Sequence, residues 1–342
     1  MSSNSSTASI EGPQGLSFFT KTWTPPQGTA TVATVCFVHG LSFLASSARF
    51  VEHLRRYDHV FDRFAQQGLA VFAYDQRGFG QTAVDLGGNN QGVTSWPQQL
   101  ADLTFFVDHA SKLNPDKPLF LYGHSMGGGI ALAFPTRVPP SVGLEKIKGV
   151  IAGSPLIEQS PGVRASAIVV TLGGLVGKVS GSLTMPVQVK PEDVSRDPEV
   201  AKLYAADPLC KQQGSFRGLS DMLKGGVTLL NKDYKNWPKD LPLLVIHGED
   251  DKVTWCESSK KFVEKVQKAS GNAEYKGYPG FYVSLSLDRH AVKSNKSDPP
   301  PPPRASPDSR IGLLHNDVAR VAQREDKWIV VKDVTDWIKA KL

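Results

Sequence analysis

The stretch Gly123-His124-Ser125-Met126-Gly127-Gly128 lies between Pro118-Leu119-Phe120-Leu121-Tyr122 and Gly129-Ile130-Ala131-Leu132-Ala133-Phe134. The first flank is a short apolar run that reads as a buried strand, and the second can start a packed helix. A G-x-S-x-G pattern between strand and helix is the signature of a nucleophile elbow. The turn leaves no room for side chains at its flanks, which accounts for Gly123 and Gly127. It strains the backbone of Ser125 and lifts the hydroxyl above the sheet edge. The helix behind it aims free N–H groups at the point where negative charge would develop. The bland alternative is a Gly-rich turn whose serine only caps a helix. Agreement of spacing with context favours the elbow.

Outward from the elbow, strands alternate with helices. Val32 to Val38 reads as a buried strand ending at His39-Gly40, and Leu69 to Tyr74 as another ending at Asp75-Gln76-Arg77-Gly78-Phe79-Gly80. Trp96, Leu100, Leu103, Val107 and Ala110 recur at helical spacing behind Ser95 and Pro97. Gly149 to Gly153 and Leu241 to Ile246 read as further strands, Cys256 to Ala269 as a helix, and Val330, Val334, Trp337 and Ile338 share one face of a closing helix. This alternation predicts an α/β fold, a mostly parallel central sheet with helices on both faces and ligands at the strand ends.

Two stretches break the rhythm. Residues 155–237 show no clear strand and sit between a core strand and the strand that leads to an acidic loop, so they read as an inserted helical cap. Residues 283–312 carry Pro299 to Pro303 in succession, which suits neither a helix nor a central strand, and read as a disordered or polyproline insert. The organisation expected is a disordered N-terminus over 1–14, a first core part over 15–154, the cap over 155–237, and a second core part over 238–342 that contains the insert.

Composition narrows the function classes. With 342 residues, 40% hydrophobic and 21% charged, the chain is of ordinary globular type, and its net charge of +6 is scattered, with no basic run that would point to nucleic acid. Cys36, Cys210 and Cys256 are odd in number and widely spaced, which fits a reducing, cytoplasmic setting better than a disulfide framework. The polar, Ser-rich start does not resemble a secretory signal, and the longest apolar candidate, Ala165 to Val176, is too short to span a bilayer. No His/Cys cluster has ligand spacing and no Gly-rich loop cradles phosphate, so no metal or organic cofactor is expected.

A serine hydroxyl needs a histidine base, and the base needs a carboxylate to fix its tautomer. In this type of fold the chain order is Ser, then Asp or Glu, then His. His247-Gly248-Glu249-Asp250-Asp251-Lys252-Val253 is the late strand-end loop that would supply the acid, with Asp251 the choice and Asp250 and Glu249 its competitors. A solvated acidic turn is the alternative reading. Only His290 and His315 follow Asp251, so a triad in this order draws its base from one of them. His53, His59 and His109 read as surface or helix-packing residues.

Together these motifs resemble the α/β-hydrolase superfamily and, within it, the monoacylglycerol lipase group, in particular its fungal members, which stands beside serine aminopeptidases and bacterial lysophospholipases. The residues that carry the resemblance are the elbow, Asp75 to Gly80, His247 to Asp251, Ser195-Arg196-Asp197 and, in the cap, Tyr204-Ala205-Ala206-Asp207-Pro208-Leu209. It covers about residues 15–282 and resumes near 313. It implies the α/β-hydrolase fold and an oxyanion hole formed by the N–H groups of Met126 and of Leu41, next after His39-Gly40 by position, where Phe50 would stand if the segment Leu41 to Arg49 were absent. It also implies a base a few residues after a tyrosine. There the sequence departs from the family: Val283 follows Tyr282, and family-like sequence returns only at Leu313-Leu314-His315-Asn316-Asp317. His315 is therefore the favoured base and His290 the alternative. A second departure is the extra segment Leu41 to Arg49, and both extra segments read as retained intron sequence or a shifted splice site. The implied activity is hydrolysis of a single-chain lipid ester, monoacylglycerol to glycerol and fatty acid, with peripheral contact at membranes or lipid droplets. The rivals are a lysophospholipase or peptidase of the same fold, and a hydrolase-like protein without catalysis.

Overall fold

Strands whose residues are apolar on both faces belong inside a sheet covered on both sides. The computed structural model, which describes residues 4–41, 53–87, 90–186, 193, 213–283 and 327–342, places them there. Its strands are β1 (Asn4–Glu11), β2 (Ser17–Thr24), β3 (Ala33–Val38), β4 (Leu69–Tyr74), β5 (Leu119–His124), β6 (Ile147–Gly153), β7 (Thr184–Pro186), β8 (Gln213–Ser215), β9 (Leu243–Gly248) and β10 (Ala273–Tyr278). Eight of them form one sheet in the order β1-β2-β4-β3-β5-β6-β9-β10, while β7 and β8 pair separately. The neighbours from β4 through β10 run parallel, and only the β1–β2 and β2–β4 pairs are antiparallel. Every residue of β3, β4, β5 and β9 is buried.

Helices cover both faces. On one lie α1 (Asp58–Gln66) and the closing helix, whose Phe61, Phe64, Val330, Val334 and Ile338 pack with Phe37, Val71 and Ile151 of the sheet. On the other, α3 (Trp96–Leu113) and α4 (Met126–Ala133) bring Leu103, Phe106 and Ile130 against Cys36, Leu121 and Val150. The short α2 (Gly80–Asp85) follows the Asp75 loop. Strand β9 begins at Leu243, later than the expected Leu241, because Pro242 has no N–H to give the ladder.

The sequence expectation for residues 1–14 is corrected here. Asn4 to Glu11 is not disordered but forms β1, paired in register with β2 from Asn4–Thr24 to Glu11–Ser17. Its side chains are almost all exposed, so no apolar alternation announces it. An edge strand needs only one row of main-chain hydrogen bonds, and polar residues supply those as well as apolar ones.

Between β6 and β9 the chain leaves the sheet. The apolar run near Ala165 becomes α5 (Ala167–Val179), capped by Ser166, whose Oγ accepts the Val169 N–H at 3.3 Å. Helix α6 (Phe216–Asn231) packs against it, capped by Ser215, whose Oγ accepts the Gly218 N–H at 3.0 Å. The β7–β8 pair is a small strand element that the sequence reading did not contain. After β9 come α7 (Cys256–Ser270), β10 and the closing helix α8 (Lys327–Ala340). Among the described residues no helix is long and apolar enough to cross a membrane.

Candidate active site

Ser125 stands between the end of β5 and the first residue of α4, with φ 53° and ψ −117°. That conformation is unfavourable for a side-chain-bearing residue by about 1–3 kcal/mol and persists only when the surroundings enforce it. The enforcement is local. A Cβ on Gly123 would sit 2.1 Å from the Gly127 carbonyl oxygen, and one on Gly127 would sit 2.2 Å from the Val38 oxygen and 2.4 Å from that of His39. Both glycines are thus required by backbone contact. The main chain of Ser125 itself is held from β6 and beyond. Its N–H donates to Gly153 O at 2.9 Å, and its carbonyl accepts from Leu156 N at 2.9 Å and Gly129 N at 3.1 Å.

Met126 opens α4, so its N–H belongs to the helix's unsatisfied first turn. A chain of hydrogen bonds joins this point to the end of β3. The Gln99 amide donates to Met126 Sδ at 3.4 Å and to Gln76 Oε1 at 3.2 Å. The Gln76 amide donates to His39 O at 2.6 Å, and the Gln76 N–H donates to His39 Nε2 at 2.9 Å. With Nε2 accepting, His39 carries its proton on Nδ1 and donates it to Gly40 O at 2.7 Å. Leu41, the next residue, is buried in the core. Sequence reasoning noted Gln76 only as part of a motif and missed Gln99, because glutamines facing each other across two elements leave no periodic signal.

Asp75 anchors the same corner. Its carboxylate accepts the Leu54 N–H at 2.9 Å and the Gln81 N–H at 2.8 Å. Burial pushes its carboxyl above the usual range, and His39, His53 and the two N–H groups pull the other way.

The acidic loop separates its three candidates by burial. Glu249 and Asp250 are exposed, whereas Asp251 is buried. Asp251 Oδ1 accepts the N–H groups of Val253 at 2.7 Å and Thr254 at 2.9 Å, and Oδ2 accepts the Thr254 hydroxyl. His247, fully buried on β9, reaches the same carboxylate with Nε2 3.2 Å from Oδ2, and its Nδ1 pairs with Ser259 Oγ at 2.9 Å. Two favoured residues are not part of this picture: His315 and His290 lie outside the described residues. Position 283, where the resemblance implies a histidine, holds a buried valine whose carbonyl accepts from His124 Nε2 at 2.8 Å. The other ring nitrogen of His124 accepts from the Tyr57 hydroxyl at 2.7 Å.

A cavity of about 730 Å³ opens beside Ser125. Its wall is formed largely by α5 (Val169, Val170, Leu172, Val176) and α6 (Phe216, Leu219, Met222, Leu223), with Val253 and Thr254 from the acidic loop. Thr254 therefore touches both the Asp251 carboxylate and the space in front of Ser125. Two polar side chains of the wall bond within the protein: Ser220 Oγ donates to Val170 O at 2.9 Å, and Gln159 Oε1 accepts the Ala165 N–H at 3.0 Å. Among the described residues no histidine lines the cavity, and no group of three or more His, Cys, Asp or Glu residues is placed to hold a metal ion.

Comparison with known proteins gives this arrangement a context. The profile of the family described as serine aminopeptidase, S33, matches residues 29–289. A monoglyceride lipase homologue of Schizosaccharomyces pombe is 34% identical over 272 residues, which is 79% of this chain and 66% of that protein, so the match spans about two thirds of the relative's length. The monoacylglycerol lipase of Mycolicibacterium smegmatis is 32% identical over 288 residues, 82% of this chain and 91% of its own. Among solved structures, a soluble variant of monoglyceride lipase from Saccharomyces cerevisiae in complex with a substrate analog superposes with a TM-score of 0.76 at 24% identity. That likeness covers 99% of this chain and 95% of the other, and it establishes the fold.

Proposed function

The chain belongs to the serine aminopeptidase S33 family of α/β-hydrolases, and we propose that it cleaves carboxylic esters of single-chain lipids, releasing glycerol and a fatty acid from monoacylglycerol. The observation that carries this reading is the cavity at Ser125, lined mostly by apolar side chains of α5 and α6 and with Ser220 and Gln159 Oε1 bonded within the protein. Such a space favours a hydrocarbon tail, each buried CH₂ being worth about 0.8 kcal/mol, and offers little to a peptide.

In the proposed mechanism a histidine takes the proton of Ser125, and Oγ attacks the ester carbonyl. The N–H groups of Leu41 and Met126 hold the oxyanion. The imidazolium protonates the departing glycerol oxygen. Water activated by the same histidine then attacks the acyl-enzyme and frees the fatty acid. Asp251 orients the imidazole, which we assign to His315, with His290 the alternative. Residues 155–237 act as the cap over the acyl passage. The outward stripe of α5, with Ile168, Leu175 and Val179 exposed, rests on a membrane or lipid droplet surface and keeps an otherwise cytoplasmic protein peripheral.

Fluorophosphonate labelling tests the nucleophile: Ser125→Ala should abolish labelling and ester hydrolysis, a loss of about 10⁴-fold or more. An acyl series from acetate to long chains tests the substrate class, with kcat/KM expected to climb with length. Equal values across the series would exclude a lipid ester.

A second reading, a hydrolase-like protein without catalysis, is favoured by Val283 standing where the base is expected. Deleting 283–312 and placing a histidine directly after Tyr282 separates the two. Activity should rise about 100-fold, the usual effect of bringing a misplaced group into register. A chain that is already fast and is silenced by His315→Ala or His290→Ala would show the segment to be a genuine part of the enzyme.

A further inference from the structure

The two N–H groups assigned to the oxyanion sit on different elements, Met126 at the start of α4 and Leu41 just past the end of β3. The elements meet backbone to backbone: a Cβ on Gly127 would lie 2.2 Å from Val38 O and 2.4 Å from His39 O. The Met126 N–H is aimed by the helix it opens. Leu41 has no such support. It follows Gly40, so the direction of its N–H depends on what holds the two peptides that flank this glycine.

Both peptides are held by side chains. His39 O, in the peptide before Gly40, accepts the Gln76 amide at 2.6 Å. Gly40 O, in the peptide after it, accepts from His39 Nδ1 at 2.7 Å. That second peptide is trans, so its C=O and N–H point opposite ways. A carbonyl drawn to the His39 ring therefore turns the Leu41 N–H away from the ring. The ring can donate from Nδ1 only in one neutral tautomer, and the Gln76 N–H, 2.9 Å from Nε2, selects it. Gln76 thus acts on Gly40 twice, once through its amide and once through the ring. Gln99 braces it: its amide donates to Gln76 Oε1 at 3.2 Å and to Met126 Sδ at 3.4 Å, which closes the circuit on α4. His39, Gln76 and Gln99 are all buried, so water does not compete for these bonds.

We propose that Gln76 is a positioning residue that aims the Leu41 N–H at the substrate oxyanion, with Gln99 as its brace. This rests on the reading of Leu41 and Met126 as the oxyanion donors. A methionine at position 76 would keep the main-chain N–H that selects the tautomer and lose the amide that holds His39 O.

The test compares p-nitrophenyl acetate with its thiono analogue, in which sulfur replaces the carbonyl oxygen. Sulfur is a weak acceptor, so a pair of N–H donors favours the oxygen ester. The parent chain should show that preference, measured against hydroxide. Losing an oxyanion donor outright costs about 10²–10³ in kcat, and misdirecting one should cost about tenfold. Gln76→Met should therefore lower kcat on the oxygen ester about tenfold, with KM unchanged and the thiono rate nearly so. Gln99→Met should give a smaller loss of the same kind. Equal losses on both esters would overturn the proposal, because a general loss of structure does not tell oxygen from sulfur. If Gln76→Met does not fold, Gln99→Met decides by the same comparison. If neither folds, the glutamines are structural props and the proposal falls. These small esters need no lipid recognition, so a wrong substrate class leaves the test intact. A parent preference retained in both variants overturns this inference alone. A parent chain that hydrolyses neither ester, or both without preference, overturns the oxyanion reading and the inference with it.

Discussion

Helices α4 and α5 are comparably apolar, MGGGIALA against AIVVTLGGLVGKV, yet every residue of α4 is buried while α5 leaves Ile168 72%, Leu175 53% and Val179 92% exposed. Helix α4 lies under the sheet's crest, with β5 and β6 on one side and α6 on another, so each of its faces meets protein. Helix α5 packs chiefly on α6. Its Val169, Leu172, Gly173 and Val176 line the cavity, and Val169 and Leu172 are more than half exposed, as are Ile168, Leu175 and Val179 beside them. The same composition serves two purposes. In α4 it builds an immovable seat for Ser125, and in α5 it makes an apolar wall beside the cavity that stays largely exposed.

The sharpest way to break this contrast is one substitution made in both helices. Gly127→Ala in α4 drives a methyl to 2.2 Å from the Val38 oxygen, and neither backbone can give way. The expected result is a loss of about 4 kcal/mol or more, with no active soluble protein. Gly173→Ala in α5 meets only the Phe216 ring edge at 3.5 Å, an ordinary contact. There the better helix propensity of alanine should leave stability unchanged or raised by up to about 1 kcal/mol. Urea melts of both variants decide the matter, and equal shifts would mean that α4 is not the rigid seat described.

A smaller effect is expected from trimming an apolar side chain. Ile130→Ala in α4 empties a packed site and should cost about 2–5 kcal/mol. Leu175→Ala in α5 removes a half-exposed side chain and should change stability by less than about 0.5 kcal/mol. A large destabilisation at Leu175 would show that its outer face is covered by protein after all.

The subtlest change is the one that sharpens the functional side. Replacing Ile168, Leu175 and Val179 together by serine should leave Tm and hydrolysis of a soluble short-chain ester alone. Partition onto phospholipid vesicles should fall about tenfold, equivalent to about 1.4 kcal/mol. Co-sedimentation reads it directly, and unchanged partition would remove the membrane role from α5.

The elbow was legible in the sequence because its requirements are local. A turn of this shape excludes side chains at Gly123 and Gly127 whatever surrounds it, and the strand and helix on either side carry their own apolar signals. The central strands were legible for the same reason, since burial on both faces demands continuous apolar runs. The polar strand β1 was not, because main-chain pairing leaves no mark on side-chain pattern. The β7–β8 pair was equally silent, being three residues on each side.

Sequence by itself therefore determined the fold class, the identity of Ser125 as the residue of the elbow, and the loop from which an acid would come. Tertiary structure decided what depends on distant neighbours. Of three adjacent carboxylates it buried Asp251 and clasped it with His247 and Thr254, while Glu249 and Asp250 stayed in water. It turned one apolar run into a buried seat and another into a wall open on its outer side. Steric rules act over a few bonds and can be read along a chain, whereas burial and hydrogen-bond partnership are set by residues that sequence order keeps far apart.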